Sequence, residues 1–82
     1  MLRVYMGFMQ RDGWHVYFML PDLKTHLPRK LTLTDPQKIV EMAKRGGADM
    51  NLEGKAALAH AIENGRGGVW LSLSDEQYSR LK

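Results

Sequence analysis

One pair of side chains in this sequence has the spacing of catalytic or metal-binding groups. His60 and Glu63 lie three residues apart in a segment that predicts a helix, and such a pair is half of a typical helical metal centre. A zinc or di-metal centre requires three or four ligands, and no matching second pair occurs elsewhere in the chain. Because exposed helices carry many pairs at this spacing, we interpret the two residues as a surface pair and predict no metal site.

The other residues with reactive side chains also lack the partners that catalysis requires. Neither His15 nor His26 has a carboxylate nearby in sequence that would suggest a general base. Ser72 and Ser74 fall in no nucleophile motif, and Ser74 is better explained as a helix cap. The chain has no cysteine, which excludes thiolate chemistry and disulfides. The sequence therefore predicts a protein that is not an enzyme, has no cofactor and shows no evident small-molecule substrate.

The tripeptide Arg-Gly-Gly occurs twice, at residues 45–47 and 66–68, and such tracts are associated with RNA binding. Both copies follow a predicted helix, where glycine is the usual C-cap and a basic residue complements the helix dipole. Residues 64–68 also resemble a phosphate-binding loop in composition. They lie between a helix and a strand, however, whereas phosphate loops lead from a strand into a helix. We therefore interpret both copies as helix ends.

Residues 2–20 predict a β-hairpin that is apolar on both faces. A two-residue loop at Asp12-Gly13 and a three-residue loop over residues 11–13, with Gly13 in the left-handed region, are both compatible with the turn. A slip of one residue would move every side chain to the other face, so the register that unites the apolar set is preferred. The three-residue loop does this. It places on one face Val4, Met6, Phe8, Trp14, Val16, Phe18 and Leu20.

The second face of the hairpin is the candidate partner-binding surface. It carries Arg3, Tyr5, Met9, His15, Tyr17 and Met19. Tyrosine, methionine and arginine are enriched in the cores of protein interfaces, so we expect a protein partner or a second copy of this chain. A nucleic acid stacked on the tyrosines is the alternative. In a third arrangement the C-terminal helix folds over this face and leaves nothing exposed.

A short basic segment follows the hairpin, and we expect it to be a loop over residues 24–30. Its cations form a predicted basic patch: Lys24, His26, Arg29 and Lys30. Residues 1–34 hold five basic and two acidic residues, whereas residues 35–82 hold seven of each, so the net charge of +3 lies in the first part. A patch of this kind attracts phosphate or an acidic protein, although a solvated loop is the simpler explanation.

The remaining segments predict the other elements of the fold. Residues 29–33 and 69–73 alternate as strands do, and the first of them is expected at a sheet edge. Capping boxes are predicted at Thr34 and Ser74, each with a glutamine three residues later, and a further helix begins near Asp49 or Asn51. About six residues separate the two long helices, too many for a helix-turn-helix. We predict the order β-β-β-α-α-β-α in an α+β two-layer fold, with the helices over Phe8, Trp14 and Phe18.

The 82 residues suit one domain, 1–82, and no apolar run approaches the roughly 20 residues of a membrane span. No signal segment is recognisable at the N-terminus, so the expected location is the cytoplasm, without membrane association. From these observations we expect a small non-catalytic protein-binding module: an adaptor, a small subunit, or an inhibitor of the kind that phages and plasmids encode. A nucleic-acid-binding protein that uses the tyrosines and the basic 24–30 segment is the alternative.

Overall fold

The N-terminal hairpin has the predicted register in the computed structural model, which describes residues 1–82. Strand β1 (Leu2–Gln10) pairs with β2 (Trp14–Met19), and Gln10 lies opposite Trp14. The loop therefore has three residues, and Gly13 has a φ of +100°, which favours glycine. The N–H of Arg11 donates to the carbonyl of Gly13 across the loop at 2.8 Å. The bulged loop predicted from the sequence is confirmed.

The hairpin forms the centre of a four-stranded antiparallel sheet. Strand β3 (His26–Leu33) pairs with β2, and β4 (Arg66–Leu73) pairs with β1, giving the order β3-β2-β1-β4. The expected edge position of β3 is confirmed, and the last strand joins the sheet beside β1.

Two strand boundaries differ from the sequence prediction. Strand β3 begins at His26, so residues 26–30 are not a loop, and Pro28 lies within the strand. Proline is tolerated there because β3 is an edge strand and has a register shift in this region. Strand β4 begins at Arg66, three residues before the predicted start, directly after Gly65 (φ +79°), which caps the preceding helix. The predicted capping role of Arg-Gly-Gly is therefore wrong for residues 66–68, whereas Gly46 does cap a helix.

Three helices complete the fold: α1 (Gln37–Arg45), α2 (Leu52–Asn64) and α3 (Asp75–Ser79). The Asn51 side chain caps α2 by accepting from the N–H of Gly54, and the capping box of Ser74 and Gln77 is confirmed. The cap predicted at Thr34 is wrong. The carboxylate of the next residue, Asp35, instead accepts a hydrogen bond from the N–H of Gln37 at 2.9 Å, in the turn before α1.

All three helices pack on one face of the sheet and enclose the core there. Helices α1 and α2 contribute Ile39, Ala43 and Leu58. Tyr78 of α3 and Leu81, two residues after its end, pack against the same cluster. The sheet contributes the larger part, with Val4, Met6, Phe8, Trp14, Val16, Phe18, Leu27, Leu71 and Leu73. The predicted two-layer α+β fold is therefore confirmed, with its core on the predicted side of the sheet. Each helix falls short of the length and apolar character that a membrane crossing would require.

Candidate partner-binding face

The sheet has an open face, which is the face opposite the helices. Directly opposed residues of antiparallel strands lie on the same face, so the register defines its members. They are Arg3, Tyr5, Gly7 and Met9 of β1; His15, Tyr17 and Met19 of β2; His26, Lys30 and Thr32 of β3; and Arg66, Gly68, Trp70 and Ser72 of β4. All six residues predicted to bind a partner lie on this face. The arrangement in which α3 covers them is wrong, because Tyr78 and Leu81 pack on the other side.

Two tyrosines of the open face lie across glycines in the centre of the sheet. Gly7 and Gly68 are opposite each other in the β1–β4 ladder. A Cβ at Gly7 would collide with the ring of Tyr17, and a Cβ at Gly68 would collide with the ring and hydroxyl of Tyr5. Each ring therefore occupies space that a side chain at the glycine would fill. The glycines allow the rings to be half-buried without any helix above them.

Trp70 is the part of the open face that the sequence analysis missed. It lies opposite Tyr5, and the two rings meet edge to face with their centroids 5.3 Å apart. The Arg3 guanidinium lies over the Trp70 ring, 4.7 Å from its centroid, in a cation–π contact. Alternation in residues 69–73 places Trp70 on the side away from Val69 and Leu71. Only the position of β4 beside β1 shows that this side belongs to the open face.

A shallow pocket of about 380 Å³ lies between β2 and β3 on the same face. His15, Tyr17, His26, Lys30 and Thr32 contribute to its lining. The rings of Tyr17 and His26 are 5.8 Å apart, and His15 Nε2 lies 2.7 Å from the carbonyl of Arg11. The pocket therefore has an aromatic wall with cationic and polar groups around it.

The phenol of Tyr5 shows how far the open face excludes water. Burial raises the pKa of Tyr5 above its ordinary value, and the nearby phenol of Tyr17 raises it further because two phenolates would repel each other.

The lysine and arginine side chains of the open face have no acidic partners. Its lysine and arginines are Arg3, Lys30 and Arg66, and none of its paired positions holds a carboxylate. No salt bridge involves any of these three cations. The three cations therefore surround the aromatic rings without neutralising carboxylates beside them.

The predicted basic patch is not a single surface. His26 and Lys30 lie on the open face, whereas Arg29 lines a cleft on the helix side. Lys24 belongs to the turn between β2 and β3, where its N–H donates to the Asp22 carboxylate. Because adjacent residues of a strand point to opposite faces, Arg29 and Lys30 cannot act on the same partner surface.

The Asp22 carboxylate organises the turn between β2 and β3. It accepts hydrogen bonds from the N–H groups of Lys24 and Thr25 and from the Thr25 hydroxyl, at 2.8–2.9 Å. The N–H of Thr25 lowers the pKa of Asp22 most, followed by the N–H of Lys24 and then the hydroxyl. These bonds favour the ionised form and fix the approach of the chain to His26.

The residues with catalytic or metal-binding potential are not gathered into a site. His60 Nε2 lies 3.0 Å from the Asn64 side-chain nitrogen, and both residues are exposed on α2. The structure contains no group of three or more histidine, aspartate or glutamate side chains arranged to hold a metal ion. The aromatic and cationic residues of the open face are therefore the candidate functional residues.

Comparisons with protein-family models, with curated proteins and with solved structures find no significant match to this chain.

Proposed function

We propose that this protein is a small, non-catalytic module of the cytoplasm that binds an acidic protein surface through its open face. Such a module would serve as an adaptor, a small subunit or an inhibitor of a larger complex. The observation that carries the proposal is the uncovered aromatic cluster of Tyr5, Tyr17 and Trp70, surrounded by cations and free of carboxylates. The cytoplasmic location follows the expectation drawn from the sequence.

The composition of the open face favours a protein partner. Tyrosine, tryptophan and arginine dominate the binding energy of protein interfaces, and methionine adapts to irregular surfaces. Met9, with 40% of its surface exposed, lies on the same face, opposite His15 and Arg66. The tyrosine rings rest on glycines and Trp70 is held by Tyr5 and Arg3, so little side-chain freedom would be lost on binding.

The charge of the open face favours a partner other than a second copy of this chain. A face-to-face dimer would bring two sets of three unpaired cations together without any carboxylate between them. Like charges facing each other across an interface cost several kcal/mol. An acidic rim on a different protein would instead pair with Arg3, Lys30 and Arg66.

Single-stranded nucleic acid is the second candidate partner, and one observation favours it. Tyr5 and Tyr17 lie across glycines, so the sides of their rings away from the sheet are turned to solvent. Bases stack on such rings with little sequence preference while cations contact the phosphates. The open face offers only three lysine or arginine contacts, fewer than the six to ten of strong electrostatic binders.

Site-specific photocrosslinking tests the proposal. A p-benzoylphenylalanine replaces Tyr17 on the open face or Ala57 on exposed α2, and each protein is irradiated in nuclease-treated lysate of the source cells. We expect a discrete protein adduct from position 17 that is absent from position 57. Lys30→Glu should abolish the adduct, whereas Lys55→Glu, the same charge change on α2, should preserve it. Equal adducts from both positions, or none from position 17, would contradict the proposal.

Fluorescence titration with oligothymidylate tests the second candidate. Binding of a single strand to the open face should quench Trp70, and three phosphate contacts give a salt slope of about −2 in log K against log salt. Micromolar binding that Lys30→Glu abolishes and Lys55→Glu preserves would replace the protein partner with a nucleic acid.

A further inference from the structure

A second concave site lies on the helix side of the sheet. This cleft has a volume of about 630 Å³ and opens between the end of α1, helix α3 and strand β3. Leu31, Met42 and Leu81 form its apolar walls, and the buried core side chains of Met6, Phe18 and Leu71 lie beneath it. The volume is within the range of small-molecule sites.

Three arginines converge on the rim of this cleft from three different elements. Arg29 comes from β3, Arg45 is the last residue of α1, and Arg80 follows α3. Two of them have carboxylate partners, since Arg45 lies 3.7 Å from Glu41 and Arg80 lies 2.8 Å from Glu76. Arg29 has no salt bridge, and no carboxylate is among the residues that line the cleft.

Hydrogen bonds hold the walls of the cleft together. Gln77 Nε2 donates to the carbonyl of Arg45 at 3.0 Å, while Gln77 Oε1 accepts from the N–H of Ser74 at 2.9 Å. The N–H of Arg29 donates to the carbonyl of Leu81 at 3.3 Å. The elements that carry the three arginines are therefore tied to one another before any ligand binds, which reduces the ordering cost of binding.

We propose that this cleft binds a small amphipathic anion, a carboxylate with an unbranched apolar chain. The carboxylate lies among the three guanidinium groups, with Arg29 as its principal partner because Arg29 has no other anion. The chain lies along the apolar walls. The anion gives Arg29 the partner that it lacks, and arginine matches the two oxygens of a carboxylate with parallel hydrogen bonds. This site is independent of the open face.

Titration of the ¹⁵N-labelled full chain with decanoate tests the proposal by NMR. We expect shift changes at Leu31, Met42 and Gln77, with saturation in the millimolar range or below. The uncharged alcohol 1-decanol should bind about tenfold more weakly, since hydrogen bonds to charged groups contribute about 1.5–3 kcal/mol. Hexanoate should also bind at least tenfold more weakly, because it lacks four methylene groups that would contact the apolar walls.

Matched variants separate this site from general attraction to a basic protein. Arg29→Gln should weaken decanoate binding about tenfold, because it removes charged hydrogen bonds to the carboxylate. Arg66→Gln makes the same charge change on the open face and should alter the affinity by less than about twofold. Both side chains are exposed, so both variants should fold, which their melting curves check.

Four results would overturn the proposal. One is the absence of saturable decanoate binding, and another is a set of shift changes confined to the open face. A third is equal weakening in Arg29→Gln and Arg66→Gln. The fourth is binding of an acidic peptide, such as alternating glutamate and leucine, in the cleft when decanoate does not bind there. That last result would assign the cleft to a protein segment instead.

Discussion

The two faces of the sheet shield their apolar and aromatic side chains from water in different ways. Phe8 and Met9 are neighbours on β1, yet Phe8 is 1% exposed and Met9 is 40% exposed. On the helix side, three helices enclose the apolar side chains, and no polar or charged residue is buried. On the open side, aromatic rings lie on glycine backbone and beside Arg3, with no second layer.

The two faces therefore differ in their contribution to folding. The helix side removes its side chains from water by packing against other elements, which provides the main stabilisation of a small domain. On the open face, large aromatic and methionine side chains stay partly in contact with water, although polar residues would serve a solvated face equally well. An aromatic surface that folding does not require is consistent with the proposed role in partner binding.

The largest expected effect contrasts the two neighbouring residues of β1. Phe8→Ala should destabilise the protein by about 3–5 kcal/mol, because it leaves a cavity in the core. Met9→Ala should cost less than about 0.5 kcal/mol, as exposed substitutions usually do. Urea denaturation followed by circular dichroism measures both. Equal losses would mean that the open face is covered in the free protein and would remove the contrast between the faces.

A substitution at Gly7 tests whether Tyr17 lies across the backbone. Gly7→Ala should destabilise the protein by about 1–3 kcal/mol, because the added methyl collides with the ring and must displace it. In a Tyr17→Ala background the same change should cost little or nothing. The coupling energy comes from a double-mutant cycle in urea. An equal cost in both backgrounds would show that the ring is not responsible.

The pKa of Tyr5 measures the closeness of the two tyrosines. Tyr17→Phe should lower the raised pKa of Tyr5 but leave it above the ordinary value of about 10, since burial is the larger cause. Because the folded state holds the Tyr5 proton more tightly than the unfolded state, the contribution of Tyr5 to the free energy of unfolding is complete below about pH 10. It is lost as the pH rises through the folded pKa. Alkaline titration at 295 nm checks this. A Tyr5 pKa unchanged by Tyr17→Phe would contradict the proximity of the phenols.

The smallest expected effect lies in the turn outside both faces. The lowered pKa of Asp22 stabilises the folded state above the unfolded value of about 3.9, and this stabilisation is lost as the pH falls through the folded pKa. The difference in melting temperature between the wild type and Asp22→Asn should therefore close as the pH falls below 3.9. Thr25→Ala should raise the pKa of Asp22 part of the way, as NMR titration would show. A melting difference that is independent of pH would rule out the charge of Asp22 as its source.

Local patterns predicted the hairpin, the helices and six residues of the open face. Alternation with a period of two and the left-handed position of Gly13 determine the hairpin register without any distant contact. The same kind of argument failed at Pro28 and at residues 66–68, where proline and glycine usually mark loops and helix ends. Both segments are strands because long-range pairing with β2 and β1 outweighed the local preference.

The sequence by itself determined which residues of the hairpin share a face, because strand geometry alternates side chains whatever lies above them. It also placed the excess of basic over acidic residues in residues 1–34. Only the tertiary structure placed β4 beside β1 and helix α3 on the opposite side. Those contacts added Trp70 to the open face, left Tyr5 and Tyr17 uncovered, and separated Arg29 from Lys30. They depend on residues distant in the chain, whose pairing is decided by packing energy rather than by local pattern.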